Sequence, residues 1–413
     1  MTTAAPSGQA ALEPVDTYLG AVLSAIRPLA ARELSLAEAD GAVLTSDVAA
    51  EWPLPPFDNS AMDGYAVLAA EVATASQDAP VTLPVRDAVP AGDTRAHRLV
   101  PGSCLRIMTG ALLPAGADAI VPVEWTDGGT DQVAIRQPAA AGNAIKRAGD
   151  DAVPGDVLLP AGTRLGPAAI GLLAAAGHGT VLARPRPRIT VISTGNELAE
   201  PGTPVVPGQI WESNSVMLAA AARQLGCPAR RYPIVPDDTD ALLAAIEDAM
   251  AAADLLVTSG GVSMGGEHDV VKAALRRLGT VRFTKVAMQP GMPQGFGVVG
   301  EHAIPLFTLP GNPVSAFVSF QLFVRPAVDA LQDVEPKRLP GARAVLTAPV
   351  RSPAGKRSFL RGILDPESGT VRPVLGQASH QLASLAKANA LIIVKERSTE
   401  MAEGEIADVL ELP

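Results

Sequence analysis

Three apolar segments of this sequence each run directly into a glycine-containing turn. They are residues 189–193, followed by Thr194-Gly195-Asn196-Glu197, residues 255–258, followed by Ser259-Gly260-Gly261, and residues 307–309, followed by Pro310-Gly311-Asn312-Pro313. Helical periodicity resumes after each turn, which predicts the strand–turn–helix units of an α/β fold. We expect the turns to meet at the carboxyl edge of one parallel sheet, where open α/β folds bind ligands. Backbone N–H groups and helix N-termini at such an edge favour an anion such as a phosphate.

The composition restricts the partners of this chain. Its 413 residues carry a net charge of −10 and only 3% are aromatic, which argues against nucleic-acid and anionic-membrane surfaces. Cys104 and Cys227 lack CxxC spacing, and the first residues contain no basic stretch followed by an apolar core. We therefore expect a cytoplasmic globular protein without structural zinc or disulfides. An acidic protein that binds phosphate also favours a divalent cation in the site.

Changes of pattern along the chain predict four domains. Two separated segments with helical spacing form a linking domain, and short alternating runs broken by Gly and Pro between them indicate a β-rich insertion. Alternating strands and helices then match one doubly wound α/β domain, and short strands return at the end as a small barrel or sandwich. The predicted bounds are 12–52 with 155–185 for the linking domain, 53–154 for the insertion, 186–335 for the α/β domain and 336–413 for the C-terminal domain.

A first polar cluster precedes the β-rich region. The segment 57–66, Phe-Asp-Asn-Ser-Ala-Met-Asp-Gly-Tyr-Ala, places four polar side chains beside aromatic residues. An Asx turn that caps a short helix explains these residues equally well. Asp63 is the best functional candidate, because a carboxylate can bind a metal or activate water. Thr109, beside Gly110 at a strand end, is more simply part of a turn.

The glycine loop 259–269 is the strongest single signal in the sequence. It holds four glycines, two serines (Ser259 and Ser263) and three ionisable groups in eleven residues, more than a connector needs. Glycine turns after strands hold phosphates, so this loop predicts an anion site. No Gly-Lys-Ser/Thr ends it, which excludes a Walker A loop.

Four carboxylates fall at turns and strand ends: Asp63, Glu197, Asp237 and Asp269. Helix capping or the helix dipole explains Glu197 and at least one of Asp237 and Asp238 without invoking a site. Carboxylates beside anion-binding turns would repel a phosphate, and Mg²⁺ bound by their oxygens reconciles the two. Lys285 adds a positive charge, although a lysine on an edge strand is also ordinary.

The chain resembles the MoeA-type molybdopterin molybdenumtransferases, a family that includes the E domain of gephyrin. The similarity extends from about Val15 to Leu412 and rests on five motifs in order. They are residues 57–66, Ile107-Met108-Thr109-Gly110-Ala111, Ser193-Thr194-Gly195-Asn196-Glu197-Leu198, Ser259-Gly260-Gly261-Val262-Ser263 and Leu309-Pro310-Gly311-Asn312-Pro313-Val314-Ser315.

The resemblance implies a multidomain fold with a central doubly wound domain similar to MoaB and Mog, a β-rich insertion, a small helical and extended linking domain and a C-terminal β-barrel. It also implies a homodimer with a composite active site, in which Asp63 and Thr109 face the cleft of the other subunit. The implied reaction inserts molybdenum from molybdate into the dithiolene of adenylylated molybdopterin and releases AMP, assisted by Mg²⁺.

Carried over residue by residue, the resemblance implies three groups of site residues. The catalytic group is Asp63, Thr109, Glu197, Asp237, Asp269 and Lys285, of which Glu197, Asp237 and Asp269 hold the metal. The substrate-binding group is Asp151, Thr194, Gly195, Ser259, Gly260, Gly261, Ser263, Pro310, Gly311, Asn312, Pro313, Arg361 and Ser379. Gln289 and Met292 stand where lysines are common in bacterial relatives.

Two alternatives remain open at this point. The 186–335 domain is similar to single-domain adenylyltransferases that make the adenylylated pterin, but those proteins lack the β-rich insertion and the C-terminal domain. A non-catalytic scaffold of the gephyrin type is the second alternative. A scaffold has no use for converging carboxylates, which favours an enzyme.

Overall fold

The structure, a computed structural model, describes residues 12–260, 270–336 and 341–412. Its contacts divide the chain into two compact units. Within the described residues, the first unit contains 12–32, 41–43 and 183 onward, and the second contains 33–40 and 44–182. The predicted linking domain is thus shared between the two units, and its bounds stay a prediction.

A six-stranded sheet forms the centre of the first unit. Four strands run parallel, and the last two in the order are each antiparallel to their neighbour. The sixth strand therefore points the same way as the four parallel ones. The order is Ala229–Arg231, Ile189–Ser193, Leu255–Ser259, Ile304–Leu309, Pro293–Val299 and Arg282–Lys285.

Helices cover both faces of this sheet, as the alternation of its strands requires. Val191 and Val257 pack with Leu218 of one helix, whereas the adjacent residues Ile192 and Leu256 pack in a different cluster. Successive residues of a strand point to opposite faces, so both faces are buried. The doubly wound prediction is confirmed, with helices at Asn214–Gln224, Thr239–Met250, Val270–Leu278 and Pro313–Leu331.

Among the described residues, the Pro313–Leu331 helix is long and apolar enough to cross a membrane, with 19 residues and a mean hydropathy of 1.3. It contains a π-helical stretch at Phe320–Val324. Within the structure 78% of the segment is buried, and the Phe323 ring meets Tyr18 edge to face with centroids 4.8 Å apart. Its apolar surface is thus used in the protein core.

A closed barrel forms the C-terminal part of the first unit, as predicted. Residues 357–365 pair with 390–394 as well as with 370–373, which completes the ring. The five strands in spatial order are Arg357–Asp365, Thr370–Pro373, Ala342–Leu346, Ile406–Glu411 and Ala390–Val394. The short strand Met288–Gln289 joins the outer edge of Arg357–Asp365.

The second unit contains the predicted β-rich region. Its five-stranded sheet has Gly64 opposite Pro122, and a Cβ on Gly64 would lie 2.1 Å from the Val121 carbonyl oxygen. Only glycine permits this approach of two strands. The strand order is Ala119–Pro122, Gly64–Val67, Cys104–Ile107, Val81–Val89 and Gln132–Ile135.

The remaining described elements are short. The helices are Val15–Ala25, Ala69–Val72, Pro167–Ala175 and Leu382–Leu385, with a 3₁₀ turn at Val123–Trp125. The strands are Arg32–Ser35, Val43–Leu44, Val48–Ala49, Asn59–Ser60, Ile145–Lys146, Val157–Leu159, Thr180–Arg184, Leu198–Ala199, Ile210–Trp211, Val350–Arg351 and Glu400–Met401.

Candidate functional site

Three turns lie side by side at the carboxyl edge of the six-stranded sheet. We call residues 194–196 the first turn, 259–260 the second and 310–312 the third. The Gly260 N–H donates to the Leu309 carbonyl at 3.2 Å. A Cβ on Gly260 would lie 3.1 Å from the Thr194 carbonyl oxygen, and one on Gly311 would lie 3.6 Å from the Gly260 Cα. The turns therefore touch one another, and the φ of +104° at Gly260 favours glycine there.

Asp237 is hydrogen-bonded to the first turn. Its Oδ1 accepts from the Thr194 hydroxyl at 3.0 Å and its Oδ2 from the Asn196 N–H at 3.1 Å. The Asn196 side chain returns a bond, accepting from the Asp237 N–H at 3.0 Å. Asp238 instead caps the next helix by accepting from the Ala241 N–H at 2.8 Å. Capping thus explains Asp238 and leaves Asp237 at the sheet edge.

Glu197 also lies against the first turn. A Cβ on Gly195 would meet the two carboxylate oxygens of Glu197 at 2.6 and 2.8 Å, so glycine provides the space that the carboxylate occupies. Both Glu197 and Asp237 are exposed to solvent. Two of the three predicted metal ligands are therefore adjacent to one turn.

The third predicted ligand, Asp269, lies outside the described residues, as do Gly261 and Ser263. Within the described part of the chain, no three His, Cys, Asp or Glu side chains come together as a metal site. The carboxylate oxygens of Asp237 and Glu197 are the kind of ligand that a hard cation such as Mg²⁺ prefers. Each Asp237 oxygen accepts one hydrogen bond and keeps a further lone pair with which it could bind the cation.

Asn214 joins the second and third turns, and sequence analysis did not single it out. Its Nδ2 donates to the Ser259 hydroxyl oxygen at 2.8 Å and to the Gly311 carbonyl at 2.6 Å. The preceding Glu212 is 1% exposed, and its Oε1 accepts from the Ser193 hydroxyl at 2.9 Å. The start of this one helix is therefore tied to the ends of three strands.

The third turn is bonded to a loop of the C-terminal barrel region. The Asn312 Nδ2 donates to the Ser379 hydroxyl oxygen at 2.9 Å, and the Val314 N–H donates to the Ser379 carbonyl at 3.1 Å. Pro313 occupies the first position of the Pro313–Ser319 helix, where its missing N–H costs nothing. Ser379 is thus placed at the sheet edge, and its role in substrate binding stays a prediction.

Arg361 is hydrogen-bonded to the loop that carries Ser379. The side chain is fully buried, and its Nη2 donates to the carbonyls of Gly376 at 2.6 Å and Ala378 at 3.2 Å. Burial lowers the pKa of the guanidinium, and its buried Nη1 has no partner within the described part of the chain. These contacts favour a positioning role over the predicted direct contact with substrate, because no part of the side chain is exposed.

Lys285 ends the sixth strand, and that strand is parallel to the one that ends at the third turn. Lys285 therefore lies at the same edge of the sheet as the three turns.

The loop after Lys285 returns to the strand Pro293–Val299, where the buried Gln294 Nε2 donates to the Gly291 carbonyl at 2.6 Å. Gln289, in that loop, is exposed.

Asp63 and Thr109 form a pair within the second unit. One oxygen of Asp63 accepts from the Thr109 N–H at 2.7 Å and from its hydroxyl at 2.8 Å. The backbone bond, then the hydroxyl bond, lowers the pKa of the Asp63 carboxyl below its ordinary value. The structure therefore presents an ionised, exposed carboxylate whose orientation Thr109 fixes.

The 147–151 loop lies beside the same segment. Asp58 accepts from the Ala148 N–H at 2.8 Å and pairs with the Arg147 guanidinium at 2.6 Å. The pKa of Asp58 is lowered by the backbone bond first and by Arg147 second. Asp151 is exposed, with its N–H bonded to the Leu54 carbonyl at 2.9 Å. Asp151 therefore shares a surface with the 57–63 segment.

Three family models match the chain in order. Residues 13–177 match the MoeA N-terminal region (domains I and II), residues 190–330 a probable molybdopterin binding domain, and residues 343–412 the MoeA C-terminal region (domain IV). Molybdopterin molybdenumtransferase 2 of Mycobacterium tuberculosis is 48% identical over 397 residues, 95% of this chain and 96% of that protein. This chain belongs to the MoeA family of molybdopterin molybdenumtransferases.

Other relatives agree with this assignment. Molybdopterin molybdenumtransferase of Bacillus subtilis is 36% identical over 374 residues, which cover 89% of this chain and 86% of that protein. The crystal structure of a MoeA protein from Pyrococcus horikoshii has a TM-score of 0.75 and 32% identity, and covers 97% of this chain and 99% of that one. Membership of the MoeA family confirms the predicted resemblance, the fold and the assignment to the transferases.

Proposed function

We propose that this protein transfers molybdenum from molybdate to the dithiolene of adenylylated molybdopterin, giving molybdenum cofactor and AMP. The observation that carries the proposal is the contact of three glycine turns at one sheet edge in a chain of the MoeA family. The N–H groups of Gly195, Asn196 and Gly260 donate within the protein, so the Ser259 hydroxyl and the N–H groups of the third turn would bind the phosphate oxygens of the pterin and AMP.

The residues at the edge have distinct roles in this proposal. The three turns, with Thr194 and Ser259, bind the pterin phosphate and AMP and hold them in register. Lys285 offsets their negative charge. Asp237 and Glu197, with Asp269, would hold Mg²⁺, which when bound polarises the phosphoanhydride and offsets charge that leaves with AMP. The protein contributes positioning and electrostatics, and the proposed mechanism assigns no covalent step to a side chain.

A direct assay tests the reaction. Purified protein is incubated with adenylylated molybdopterin, molybdate and Mg²⁺, and we expect AMP and molybdenum cofactor to form together. In a parallel reaction with ATP, Mg²⁺ and molybdopterin but no molybdate, consumption of ATP would instead make the protein an adenylyltransferase. A protein that binds no adenylylated pterin would be a scaffold. Asp269→Asn with wild-type turnover would remove that carboxylate from the mechanism.

We also propose that the active protein is a homodimer in which Asp63 and Thr109 of one copy complete the sheet-edge site of the other. Two variants test this arrangement, Asp63→Asn in the second unit and Asp237→Asn in the first. In a mixed dimer with one subunit of each variant, a composite arrangement produces one site that carries both substitutions and one site that carries neither. Activity that returns after subunit exchange supports the composite site, and inactive mixed dimers contradict it.

A further inference from the structure

The orientation of the Asn214 amide is fixed by its neighbours. Its Nδ2 lies 2.6 Å from the Gly311 carbonyl oxygen and 2.8 Å from the Ser259 hydroxyl oxygen. A carbonyl oxygen is only an acceptor, so the reversed amide would bring two acceptors together. The nitrogen therefore faces both the second and the third turn.

This orientation determines what the Ser259 hydroxyl can do. A hydroxyl has one hydrogen to donate, and its oxygen here accepts the Asn214 N–H. The hydrogen is thus left for another acceptor at the turn. Hydrogen bonds in a chain polarise one another, so the bond from Asn214 makes the Ser259 hydroxyl a better donor.

The helix start that carries Asn214 is held from the other side by a buried carboxylate. Glu212 Oε1 accepts from the Ser215 N–H at 2.7 Å, and Glu212 Oε2 lies 3.3 Å from the Arg231 Nη2. The buried Asn214 Oδ1, by contrast, has no hydrogen-bond partner among the residues that the structure describes. An unpaired buried acceptor costs stability, so the amide is not placed for stability alone.

We infer that Asn214 is a positioning residue of the sheet-edge site: it fixes the spacing of the second and third turns and directs the Ser259 hydroxyl hydrogen to a bound phosphate-type oxyanion. This inference rests on the proposed function and names a residue of that site. An ionised oxyanion has only acceptors to offer, which matches a hydroxyl that can only donate. Asn312 and Ser379 repeat the arrangement at the third turn, with an amide nitrogen 2.9 Å from a hydroxyl oxygen.

Binding of AMP and of molybdate, each alone, tests the inference by calorimetry on the full chain. Loss of a hydrogen bond to a charged group weakens binding by about 10-fold or more. We therefore expect the Kd for AMP to rise by this factor in both Asn214→Ala and Ser259→Ala. Because the bond from Asn214 to Ser259 is already absent in Ser259→Ala, the double variant should lose less binding than the sum of the two single losses. The molybdate titrations distinguish a site for the phosphate of AMP from a site for either oxyanion.

The matched control is Asn389→Ala in the C-terminal barrel, where the Asn389 Nδ2 also donates to a backbone carbonyl, that of Leu364, at 2.9 Å. We expect this variant to keep the wild-type Kd. Hydrogen exchange of the 255–260 and 309–312 peptides should rise in Asn214→Ala and not in the control, which reports the spacing of the turns without any ligand.

Several results would overturn the inference. The first is a wild-type Kd for AMP in Ser259→Ala, a result that is informative even if Asn214→Ala does not fold. The second is additive losses of binding in the double variant. The third is a wild-type protein that binds neither AMP nor molybdate. A wild-type protein that binds AMP with the expected variant effects but inserts no molybdenum would end the proposed function and leave this inference standing.

Discussion

The sheet edge of the first unit and the 57–63 segment of the second present their polar groups in different ways. At the edge, the side chains behind the turns are enclosed: Thr194 is 6% exposed and Ser259 is 2% exposed. In the second unit, Asp63 and Thr109 are both exposed. The edge combines enclosed hydroxyl groups with the exposed carboxylates of Glu197 and Asp237, whereas the other region offers one oriented, ionised carboxylate. The difference supports the proposal that the edge holds the substrate and that Asp63 acts against a facing surface.

The largest expected effect distinguishes two adjacent carboxylates at the edge. Asp237→Asn should lower kcat for molybdenum insertion by about 100- to 1,000-fold, in the range seen when an electrostatic group is removed from a site. Asp238→Asn is the matched control, because asparagine caps helices as well as aspartate does. We expect near wild-type kcat for the control. Equal effects of the two substitutions would remove Asp237 from the site.

A second prediction concerns the backbone that carries Asp63. Gly64→Ala places a Cβ 2.1 Å from the Val121 carbonyl oxygen, so we expect a loss of about 3 kcal/mol or more in the free energy of unfolding. Gly92→Ala has open space at a φ of +82° and should cost about 1 kcal/mol. Chemical denaturation measures both. A Gly64→Ala protein as stable as Gly92→Ala would contradict the strand packing beside Asp63.

Arg361 tests whether the barrel loop contributes to the enclosed edge. Lysine keeps the charge but cannot donate to two carbonyls and Ser384 at once, so Arg361→Lys should displace Ser379. We expect an increase of about 10-fold in KM for the pterin substrate, the cost of about one charge-assisted hydrogen bond. The exposed Arg372→Lys on the same barrel is the control and should keep the wild-type KM. An unchanged KM in Arg361→Lys would separate the barrel from the site.

The smallest expected effect is on the exposed carboxylate. The bonds from Thr109 lower the pKa of Asp63 below the ordinary value for aspartate, so their stabilising effect is complete above that ordinary value and is lost as the pH falls through the folded-state pKa. Thr109→Val removes the hydroxyl bond and keeps the backbone bond. We therefore expect the Asp63 carboxyl to titrate at a higher pH in the variant, as followed by carbon NMR. Identical titrations would show that the hydroxyl does not bond Asp63 in solution.

The sequence was sufficient for the parts of the fold that depend on local pattern. The helices at 214–224 and 239–250 lie in the region where alternating strands and helices were predicted, because apolar periodicity reports the buried face directly. The edge itself followed from parallel strands that end in glycine turns. Asp237 and Asp238 could not be told apart from sequence, since only the helix register decides which one caps.

The missed residues are those whose role depends on distant partners. Glu212 and Asn214 read as an ordinary helix start, because nothing local relates Asn214 to Ser259, 45 positions later. The resemblance implied substrate binding by Arg361, and its burial could not be predicted because it depends on how the 376–378 loop folds over the side chain. One signal in the sequence could have identified Asn214. It is the group of polar residues at the start of a helix, in a chain with several glycine turns.

The most direct test of the central claim is a crystal structure of the protein with AMP, molybdate and Mn²⁺ in place of Mg²⁺. We predict that the AMP phosphate lies within hydrogen-bond distance of the second turn at Ser259 and Gly260, with an anomalous manganese peak coordinated by Asp237. An AMP phosphate bound elsewhere, with no metal at Asp237, would contradict the assignment of the sheet edge as the substrate site.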